Sequence, residues 1–170
     1  MSFLSTHRLT IEKVTLSDGP FVLELMNTPT WIQYIGDRSI RNLEDANAYI
    51  QNNYLKTYEQ YGYGLYKMVL KTSLTPIGMC GFVKRDYLDA PDIGFAVLPA
   101  YEGKGYTSEA ALKIMDYGLH TLNLELILGI TSPENIRSQS LLEKLGLKRQ
   151  GTIASADIGK TLYFYSTADS

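Results

Sequence analysis

The stretch Ile93–Thr107, IGFAVLPAYEGKGYT, decides how this chain folds. Its apolar first half is typical of a strand, and Gly103-Lys104-Gly105 predicts a tight loop that opens a helix. The first N–H groups of a helix have no intrahelical acceptor and lie at the positive end of the helix dipole, so they stabilise an anion. Glycines let the chain turn sharply around a phosphate, and Lys104 adds positive charge. The stretch therefore predicts a loop that binds a phosphate-bearing cofactor.

Two familiar nucleotide-binding motifs are excluded by the spacing. A dinucleotide fingerprint requires a third glycine where this chain has Ser108. A P-loop requires Ser or Thr directly after the lysine, where this chain has Gly105. The predicted ligand is thus neither a Rossmann-bound dinucleotide nor ATP in a P-loop.

The residues after the loop predict an amphipathic helix. Thr107 or Ser108 is suited to cap its start, and Glu109 is favourable in its first turn. Apolar positions recur about every 3.6 residues and predict the buried face, which consists of Ala111, Leu112, Met115, Leu119 and Leu122.

A second strand and helix are predicted within Leu126–Gly146, LILGITSPENIRSQSLLEKLG. The run Leu126–Ile130 is typical of a strand. Ser132 is a candidate N-cap, Pro133 suits the first helical position, and Gly146 suits the left-handed residue that ends a helix.

One stripe of this second helix indicates a functional face. Asn135, Ser138 and Leu142 follow each other at helical spacing, so we expect them on one side. A buried face rarely combines two small polar residues with a leucine.

The rest of the sequence predicts a mixed α/β sandwich, which we expect to form one domain over residues 1–170. A chain of this length buries enough surface to form a core without metals or disulfides. Strands are predicted at Leu9–Val14, Tyr63–Leu70 and Pro76–Lys84, a hairpin near Gly151–Tyr165, helices at Asp18–Asn27 and Asn42–Tyr61, and an aromatic connector at Thr30–Ile40.

Composition excludes several classes of function. The net charge of −2 gives no basic surface for nucleic acid. His7 and His120 have no Cys or carboxylate at metal-ligand spacing, so no metal site is expected. Cys80, the only cysteine, excludes an internal disulfide and is expected to be a small buried strand residue. Without a leader pattern or a long apolar run, we expect a cytoplasmic protein that does not bind membranes.

The two constellations together resemble the GNAT N-acetyltransferase superfamily, whose members transfer an acetyl group from acetyl-coenzyme A to an amine. Within it the chain is similar to the RimJ/RimL-type branch of ribosomal-protein alanine N-acetyltransferases. The resemblance covers nearly the whole chain and is carried by Thr6-His7-Arg8-Leu9, Pro76-Ile77-Gly78, Asp92-Ile93-Gly94-Phe95, Gly103-Lys104-Gly105-Tyr106, Ser108-Glu109-Ala110, Asn135 to Ser138 and Leu142-Glu143-Lys144-Leu145-Gly146.

The resemblance implies a mostly antiparallel twisted sheet flanked by about four helices. It also implies that the sheet splays between the strands Ile93–Leu98 and Leu126–Ile130, where acetyl-coenzyme A and the amine meet. The acetyl group would pass by direct attack of the amine within a ternary complex.

The same resemblance implies a set of cofactor-binding residues. The loop Ala100–Tyr106 would hold the pyrophosphate with backbone amides, and the strand Ile93–Leu98 would pair with the pantetheine arm. Asn135 would bind that arm, and Ser138 would lie near the thiol. The implied cofactor-binding residues are Phe95, Ala96, Val97, Tyr101, Glu102, Gly103, Lys104, Gly105, Tyr106, Thr107, Asn135 and Ser138.

The predicted catalytic groups are Asp92 and Ser138. Asp92 would remove the amine proton directly or through water, unless it is only a solvated acid at the start of a strand. The N–H of Phe95 or Val97 would polarise the thioester carbonyl. Many family members protonate the leaving thiolate with a tyrosine at the position of Leu142, so here Ser138, a water molecule or no group at all takes that role.

The sequence leaves three kinds of acceptor possible, namely a protein N-terminal α-amine, a polyamine and a small amine such as an amino sugar. Trp31, Tyr34 and Tyr63 are candidates to line the acceptor pocket, with core packing as the alternative. An α-amine is favoured because it titrates about 2.5 pH units below a lysine amine, and this chain shows no strong base. From a different class of function, a non-catalytic acyl-coenzyme A sensor is the alternative.

Overall fold

One eight-stranded sheet forms the centre of the protein in a computed structural model that describes residues 2–156 and 159–168. The strands are β1 (Ser2–Ser5), β2 (Leu9–Lys13), β3 (Leu65–Leu70), β4 (Pro76–Val83), β5 (Asp92–Val97), β6 (Leu128–Thr131), β7 (Lys148–Ala154) and β8 (Thr161–Ser166). The helices are α1 (Gly19–Met26), α2 (Pro29–Tyr34), α3 (Leu43–Tyr49), α4 (Lys56–Tyr61), α5 (Tyr106–His120) and α6 (Ile136–Lys144). The mixed α/β fold class is confirmed.

The sheet splays between its two parallel strands. The strand order is β1-β2-β3-β4-β5-β6-β8-β7, and among these strands of the described residues only β5 and β6 are parallel. β4 and β5 pair along their length, from Val83 opposite Asp92 to Gly78 opposite Val97. β5 and β6 pair at a single position, Asp92 opposite Leu128. The predicted splay is therefore confirmed, and one edge of β5 is left open.

The core joins the sheet to α5 and to the helices α1, α3 and α4. β4 reads PIGMCGFV and is buried on both faces, which explains why its sequence shows no alternation of polar and apolar residues. Its Phe82 ring lies so close to α5 that a Cβ on Gly118 would be 2.4 Å from the ring. Only a glycine on α5 allows that approach, so the helix is fixed tightly over β4.

The predicted inward face of α5 is right at Ala111 and Met115 and wrong at Leu112 and Leu119, and the predicted cap is also wrong. The buried positions are Ala110, Ala111, Ile114, Met115 and Gly118. By contrast, Leu112 and Leu119 are 47% and 37% exposed. The N-cap is Gly105 rather than Thr107 or Ser108. The contact between Gly118 and Phe82 determines which side of α5 faces inward, and local spacing does not contain that information.

The predicted helix Asn42–Tyr61 is a helix with a π insertion. The segment Ile50–Leu55 joins α3 to α4 with π-helical hydrogen bonding. In an α-helix, residues five apart diverge by about 140°, whereas the i→i+5 bonds of a π turn bring them to one side. Tyr49 and Tyr54 accordingly meet edge to face, with ring centroids 5.4 Å apart.

The aromatic connector predicted at Thr30–Ile40 contains a short helix instead. The Thr28 hydroxyl accepts from the N–H of Trp31 at 3.3 Å, and Pro29 occupies the first helical position of α2. A threonine cap followed by proline is a helix start signal, so the sequence contained this information.

Cys80 is a buried residue of β4, as predicted. Burial raises the pKa of its thiol to about 12, so the thiolate is not formed near neutral pH. None of the helices within residues 2–156 and 159–168 has both the length and the apolar character needed to cross a bilayer.

Candidate active site

A cleft of about 500 Å³ opens where β5 and β6 diverge. Its walls come from β5, from β6, from the start of α5 and from one side of α6. The far end is closed by α2 and by the junction of α3 with the π segment. The open edge of β5 thus forms the floor of an elongated slot with two chemically different ends.

The backbone of β5 presents unpaired groups to this cleft. The N–H of Leu98 donates to the carbonyl of Ile77 at 2.8 Å, toward β4. The carbonyl of Pro91 accepts from β6 at 3.0 Å. Because backbone groups alternate between the two edges of a strand, the N–H groups of Phe95 and Val97 lie on the Pro91 side. Both point into the gap beyond the point where β5 and β6 separate.

The loop before α5 is shaped as an anion cradle. Gly103 and Gly105 have φ values of 72° and 81°, a region that residues with a Cβ rarely adopt. No side chain caps α5, because its N-cap is Gly105. The N–H groups of the first turn are therefore available to a ligand. No atom lies within 4 Å of a Cβ placed on Gly103, so this side of the loop is open.

The start of α5 is held from behind by the segment that links β1 and β2. Arg8 Nε donates to Glu109 Oε1 at 2.8 Å, and the backbone N–H of Arg8 donates to Oε2 at 2.9 Å. The Thr6 hydroxyl donates to the same carboxylate. Arg8 Nη1 also donates to the carbonyl of Lys104 at 3.0 Å, and the guanidinium lies 4.2 Å from the Tyr106 ring centroid.

These contacts keep Glu109 ionised. Burial raises the pKa of Glu109, but the hydrogen bonds from Thr6 and Arg8 outweigh burial, and the net result is a pKa below the ordinary value. A negative side chain in the first turn of α5 also favours the helix dipole.

The start of α6 differs from the prediction. The helix begins at Ile136 with Asn135 as N-cap, whose Oδ1 accepts from the N–H of Ser138 at 3.2 Å. Ser132 and Pro133 precede the helix in a turn, because the Asn135 amide is the group that reaches the free N–H. Capping uses only Oδ1, so the N–H groups of Asn135 Nδ2 remain available to donate to a ligand. Both Asn135 and Ser138 line the cleft.

Leu142 does not share that face. It is 1% exposed and packs so closely on β6 that a Cβ on Gly129 would lie 2.7 Å from it. Asn135 is the N-cap and lies outside the regular helix, so the spacing from Asn135 to Leu142 does not place the two residues on one face. Leu141 lines the cleft instead, together with Ser138 and Ser140. None of these three side chains is an acid comparable to tyrosine.

Two cations on α6 were not identified from the sequence. Arg137 and Lys144 line the cleft near the start of α5. Arg137 Nη1 lies 3.4 Å from Glu102 Oε2, and Lys144 Nζ donates to Ser108 Oγ at 2.7 Å. Both side chains lie on the side of the anion cradle, and their positions depend on how α6 packs beside α5.

Asp92 lies where β5 and β6 meet. Its side chain is 2% exposed, and Oδ1 lies 2.9 Å from Arg85 Nε. The alternative of a solvated acid at a strand start is therefore wrong. Both residues line the cleft, so the pair forms a charged boundary at the base of the slot.

Aromatic side chains form the far end of the cleft. Trp31 and Tyr34 line it, and so do Tyr49 and Tyr54. Burial raises the pKa of Tyr54 well above its ordinary value, so the phenol stays protonated. Among the described residues, the Trp31 indole N–H and the Tyr54 hydroxyl have no hydrogen-bond partner.

Tyr63 does not line the cleft. It is 8% exposed and packs with Tyr61 and Phe82, with ring centroids 5.7 Å and 6.1 Å away. Burial raises its pKa, with further contributions from Tyr61 and Asp92. The core-packing alternative therefore describes Tyr63 correctly, because its ring lies behind the cleft wall.

Most of the predicted site residues come together at this cleft. Lys104 does not line it; its side chain is exposed and its carbonyl binds Arg8. In the part of the chain that the structure describes, no group of three or more His, Cys, Asp or Glu side chains is placed to hold a metal. The predicted residues that do line the cleft are Trp31, Tyr34, Asp92, Phe95, Ala96, Val97, Tyr101, Glu102, Gly103, Gly105, Tyr106, Thr107, Asn135 and Ser138.

Known proteins share this architecture. Residues 8–148 match the model of the family described as Acetyltransferase (GNAT) domain. The uncharacterized N-acetyltransferase YnaD of Bacillus subtilis is 31% identical over 148 residues, covering 87% of this chain and 84% of that protein. The spermidine N(1)-acetyltransferase of Escherichia coli is 23% identical over 150 residues, covering 88% and 77%.

A solved structure shows the same fold with coenzyme A bound. RimL, a ribosomal L7/L12 α-N-protein acetyltransferase in complex with coenzyme A, aligns with a TM-score of 0.83 at 16% identity. The alignment covers 99% of this chain and 100% of that chain. At this identity the likeness is one of fold.

The Glu109 contacts predict how stability depends on pH. A carboxylate whose folded pKa is lowered stabilises the protein above its unfolded pKa of about 4.3, and this contribution is lost as pH falls through the folded pKa. We expect Glu109→Gln to lower the melting temperature by about 2–4 °C at pH 7. The difference in melting temperature between the variant and the parent protein should disappear below about pH 4.3.

Thermal unfolding followed by circular dichroism between pH 7 and pH 3 measures this gap. Glu59→Gln, on the exposed surface of α4, is the matched control and should leave the melting temperature unchanged. A gap of constant size over the whole pH range would contradict the role of the Glu109 charge.

Proposed function

We propose, on the premise that this chain belongs to the acetyltransferase (GNAT) domain family, that its acceptor is the α-amine of a protein or peptide N-terminus. The chain is an acetyl-coenzyme A dependent N-acetyltransferase, as its family and its relatives named N-acetyltransferase establish, rather than a sensor. Assignment to the RimJ/RimL-type branch and a single domain over residues 1–170 are part of the same proposal. The observation that carries it is the charge of the cleft, in which the carboxylates of the described residues are paired.

The anion cradle is the proposed site of the coenzyme A pyrophosphate. The glycine loop leaves the N–H groups of the first turn of α5 open, and the residues present therefore fit a phosphate group. Arg137 and Lys144 add positive charge on the facing helix. In this proposal the side chains of Tyr101, Glu102, Tyr106 and Thr107 border the cofactor, and Lys104 acts through its backbone.

The open edge of β5 is the proposed site of the pantetheine arm. Its amides would pair with the N–H groups of Phe95 and Val97 in place of the missing strand, and Ala96 would line the arm. Asn135 Nδ2 would donate to the same arm while Oδ1 keeps its capping bond. A bound cofactor thus satisfies backbone groups that the sheet leaves open.

Acetyl-coenzyme A supplies the acetyl group, whose carbonyl carbon bonds to the amine nitrogen as its bond to sulfur breaks. An N–H of Phe95 or Val97 stabilises the negative charge that develops on the carbonyl oxygen. Ser138 lies on the cleft wall and is the proposed proton donor to the sulfur, directly or through water. A thiol with a pKa of about 8.5 is a tolerable leaving group without a tyrosine.

Asp92 is the proposed acceptor of the amine proton, directly or through water. Its side chain is buried and paired with Arg85 at the base of the slot. A positive charge held beside this carboxylate opposes the approach of an acceptor with several positive charges. The Asp92–Arg85 pair is therefore consistent with an α-amine rather than a polyamine.

The charges of the cleft also disfavour a polyamine. Among the described lining residues the carboxylates are Asp92, which pairs with Arg85, and Glu102, which lies 3.4 Å from Arg137. A polyamine with several positive charges would require unpaired carboxylates. The proposed acceptor end, with Trp31 and Tyr34, instead provides aromatic walls for a small uncharged side chain beside the amine.

Changing the glycine loop tests the placement of the pyrophosphate. We expect Gly103→Val to weaken acetyl-coenzyme A binding about tenfold or more, because a branched residue at positive φ distorts the loop and removes charge-assisted hydrogen bonds. Titration calorimetry measures the affinity. Gly62→Val is the matched control, since Gly62 has a φ of 75° and equally open surroundings but lies outside the cleft. Equal affinity in the folded Gly103 variant would remove this loop from the cofactor site.

Substitution of Asp92 tests proton removal. We expect Asp92→Asn to lower kcat about 100-fold, a typical contribution of general base catalysis, and to abolish the acidic limb of the pH–rate profile. Arg85→Gln is the control, because it breaks the ion pair and keeps the carboxylate. That control should retain the acidic limb. Identical profiles for the two variants would assign Asp92 a structural role only.

A competition assay tests the acceptor. At pH 7 and equal concentrations we expect a peptide with a free small N-terminal residue to be acetylated at least about tenfold faster than spermidine, because far more of its amine is neutral. Thiol release and mass spectrometry measure the two products. The same peptide with a blocked N-terminus and one lysine is the control and should react slowly. Faster consumption of spermidine would establish a polyamine acceptor instead.

A further inference from the structure

The segment Thr6–Leu9 belongs to the family resemblance, yet the proposed mechanism assigns it no role. In the fold this segment lies against the start of α5, where Arg8 contacts Glu109, a residue 101 positions away in the sequence. Arg8 neither lines the cleft nor touches the open side of the cradle. Its hydrogen bonds go to the loop and to the first turn from behind.

We propose that Arg8, held by Glu109, is a positioning residue that keeps the loop at residues 103–105 in the conformation that receives the coenzyme A pyrophosphate. The inference rests on the proposed placement of that pyrophosphate. It adds a residue outside the cleft that determines cofactor affinity.

Arg8 determines the direction of one peptide group in the loop. Arg8 Nη1 holds the carbonyl oxygen of Lys104 at 3.0 Å. A peptide bond is planar and trans, so the N–H of Gly105 must point in the opposite direction, away from Arg8. Because Gly105 lacks a Cβ, nothing in its own side chain prevents this peptide from flipping. A flipped peptide would aim a carbonyl oxygen, which repels phosphate, where an N–H is needed.

Arg8 also balances the charge at the start of α5. Glu109 lies in the first turn of α5, close to where the pyrophosphate is proposed to bind, and its charge repels an anion. Arg8 pairs with Glu109 at 2.8 Å, and the Thr6 hydroxyl also donates to this carboxylate. Both contacts direct the carboxylate away from the free N–H groups. Without Arg8 the carboxylate competes for the site that phosphate should occupy.

The contacts of Arg8 require the geometry of an arginine. Its Nε binds Glu109, its Nη1 binds Lys104, and its planar face lies on the Tyr106 ring. A guanidinium presents donors in several fixed directions and stacks on aromatic rings, whereas a lysine ammonium offers a single charged centre. Arg8→Lys should therefore keep the charge and lose the geometry.

Truncated substrates separate positioning from general destabilisation. S-acetylpantetheine carries the same thioester and arm as acetyl-coenzyme A but no pyrophosphate. We expect Arg8→Met to lower kcat/KM for acetyl-coenzyme A about tenfold, through KM, and to leave kcat/KM for S-acetylpantetheine within about twofold. Arg8→Lys should fall between the parent protein and Arg8→Met. The affinities for coenzyme A and pantetheine give the same comparison without turnover.

A double variant tests the charge argument. If the uncompensated Glu109 carboxylate causes part of the loss, Arg8→Met/Glu109→Gln should bind acetyl-coenzyme A more tightly than Arg8→Met alone. Arg149→Met is the matched control, because Arg149 also stacks on a tyrosine, Tyr163 at 3.8 Å, but lies outside the cleft. This variant should leave kcat/KM unchanged for both acetyl-coenzyme A and S-acetylpantetheine.

Equal losses with both substrates, or no loss with acetyl-coenzyme A, would overturn the proposal. A smaller folded fraction lowers both rates equally, so the ratio of the two substrates is independent of it. Failure of the underlying placement gives a different result, namely that Gly103→Val also leaves acetyl-coenzyme A binding unchanged. Weakened binding in Gly103→Val with an unchanged Arg8→Met would refute the positioning role alone.

Discussion

The single pairing position between β5 and β6 is the constraint on which the rest of the site depends. Asp92 lies opposite Leu128, and beyond that point the two strands separate. The other edge of β5 is fully paired with β4, so β5 cannot shift to close the gap. Unpaired backbone groups in a recessed site are costly unless water or a ligand satisfies them. An extended arm with amide groups is the kind of ligand that such an edge accommodates.

The start of α5 carries a second constraint, because stability and ligand binding require different things there. A helix is stabilised when a side chain caps its first N–H groups, but an anion site needs those groups free. This chain has Gly105 at the cap position and provides stabilisation from outside the helix, through the contacts of Glu109 with Arg8. The contribution comes from a distant part of the chain and leaves the cradle open.

The sequence predicted those features that depend on local chemistry. The glycine loop, the strand before it and the left-handed Gly146 follow from backbone preferences, and the structure has each of them. The inward faces of helices were less predictable, because one residue corresponds to about 100° of rotation. Leu141 therefore faces the cleft where Leu142 was expected, and Gly118, in contact with Phe82, determines the inward face of α5.

The π segment and the contacts behind the anion cradle could not be predicted from the sequence for another reason. Propensity does not distinguish a π turn from an α turn, yet that turn brings Tyr49 and Tyr54 together at the far end of the cleft. The pairing of Arg8 with Glu109 joins segments that only the folded sheet brings close.

The distribution of charge along the cleft gives the slot a direction. At the α5 end, Arg137 and Lys144 stand near uncapped N–H groups, and Glu102 offsets only part of their charge in an exposed pair. At the junction of β5 and β6, Asp92 and Arg85 are paired, and beyond them the wall consists of aromatic side chains together with Arg38. A ligand with its negative charges at one end is therefore bound in one orientation, with its uncharged end toward the aromatic wall. In the proposed mechanism the acceptor amine enters from that wall, where Coulomb attraction toward a carboxylate is weak. Recognition there would depend on shape and on the ease of losing a proton, which is the basis of the proposed preference for a small N-terminal residue over a polyamine with several charges.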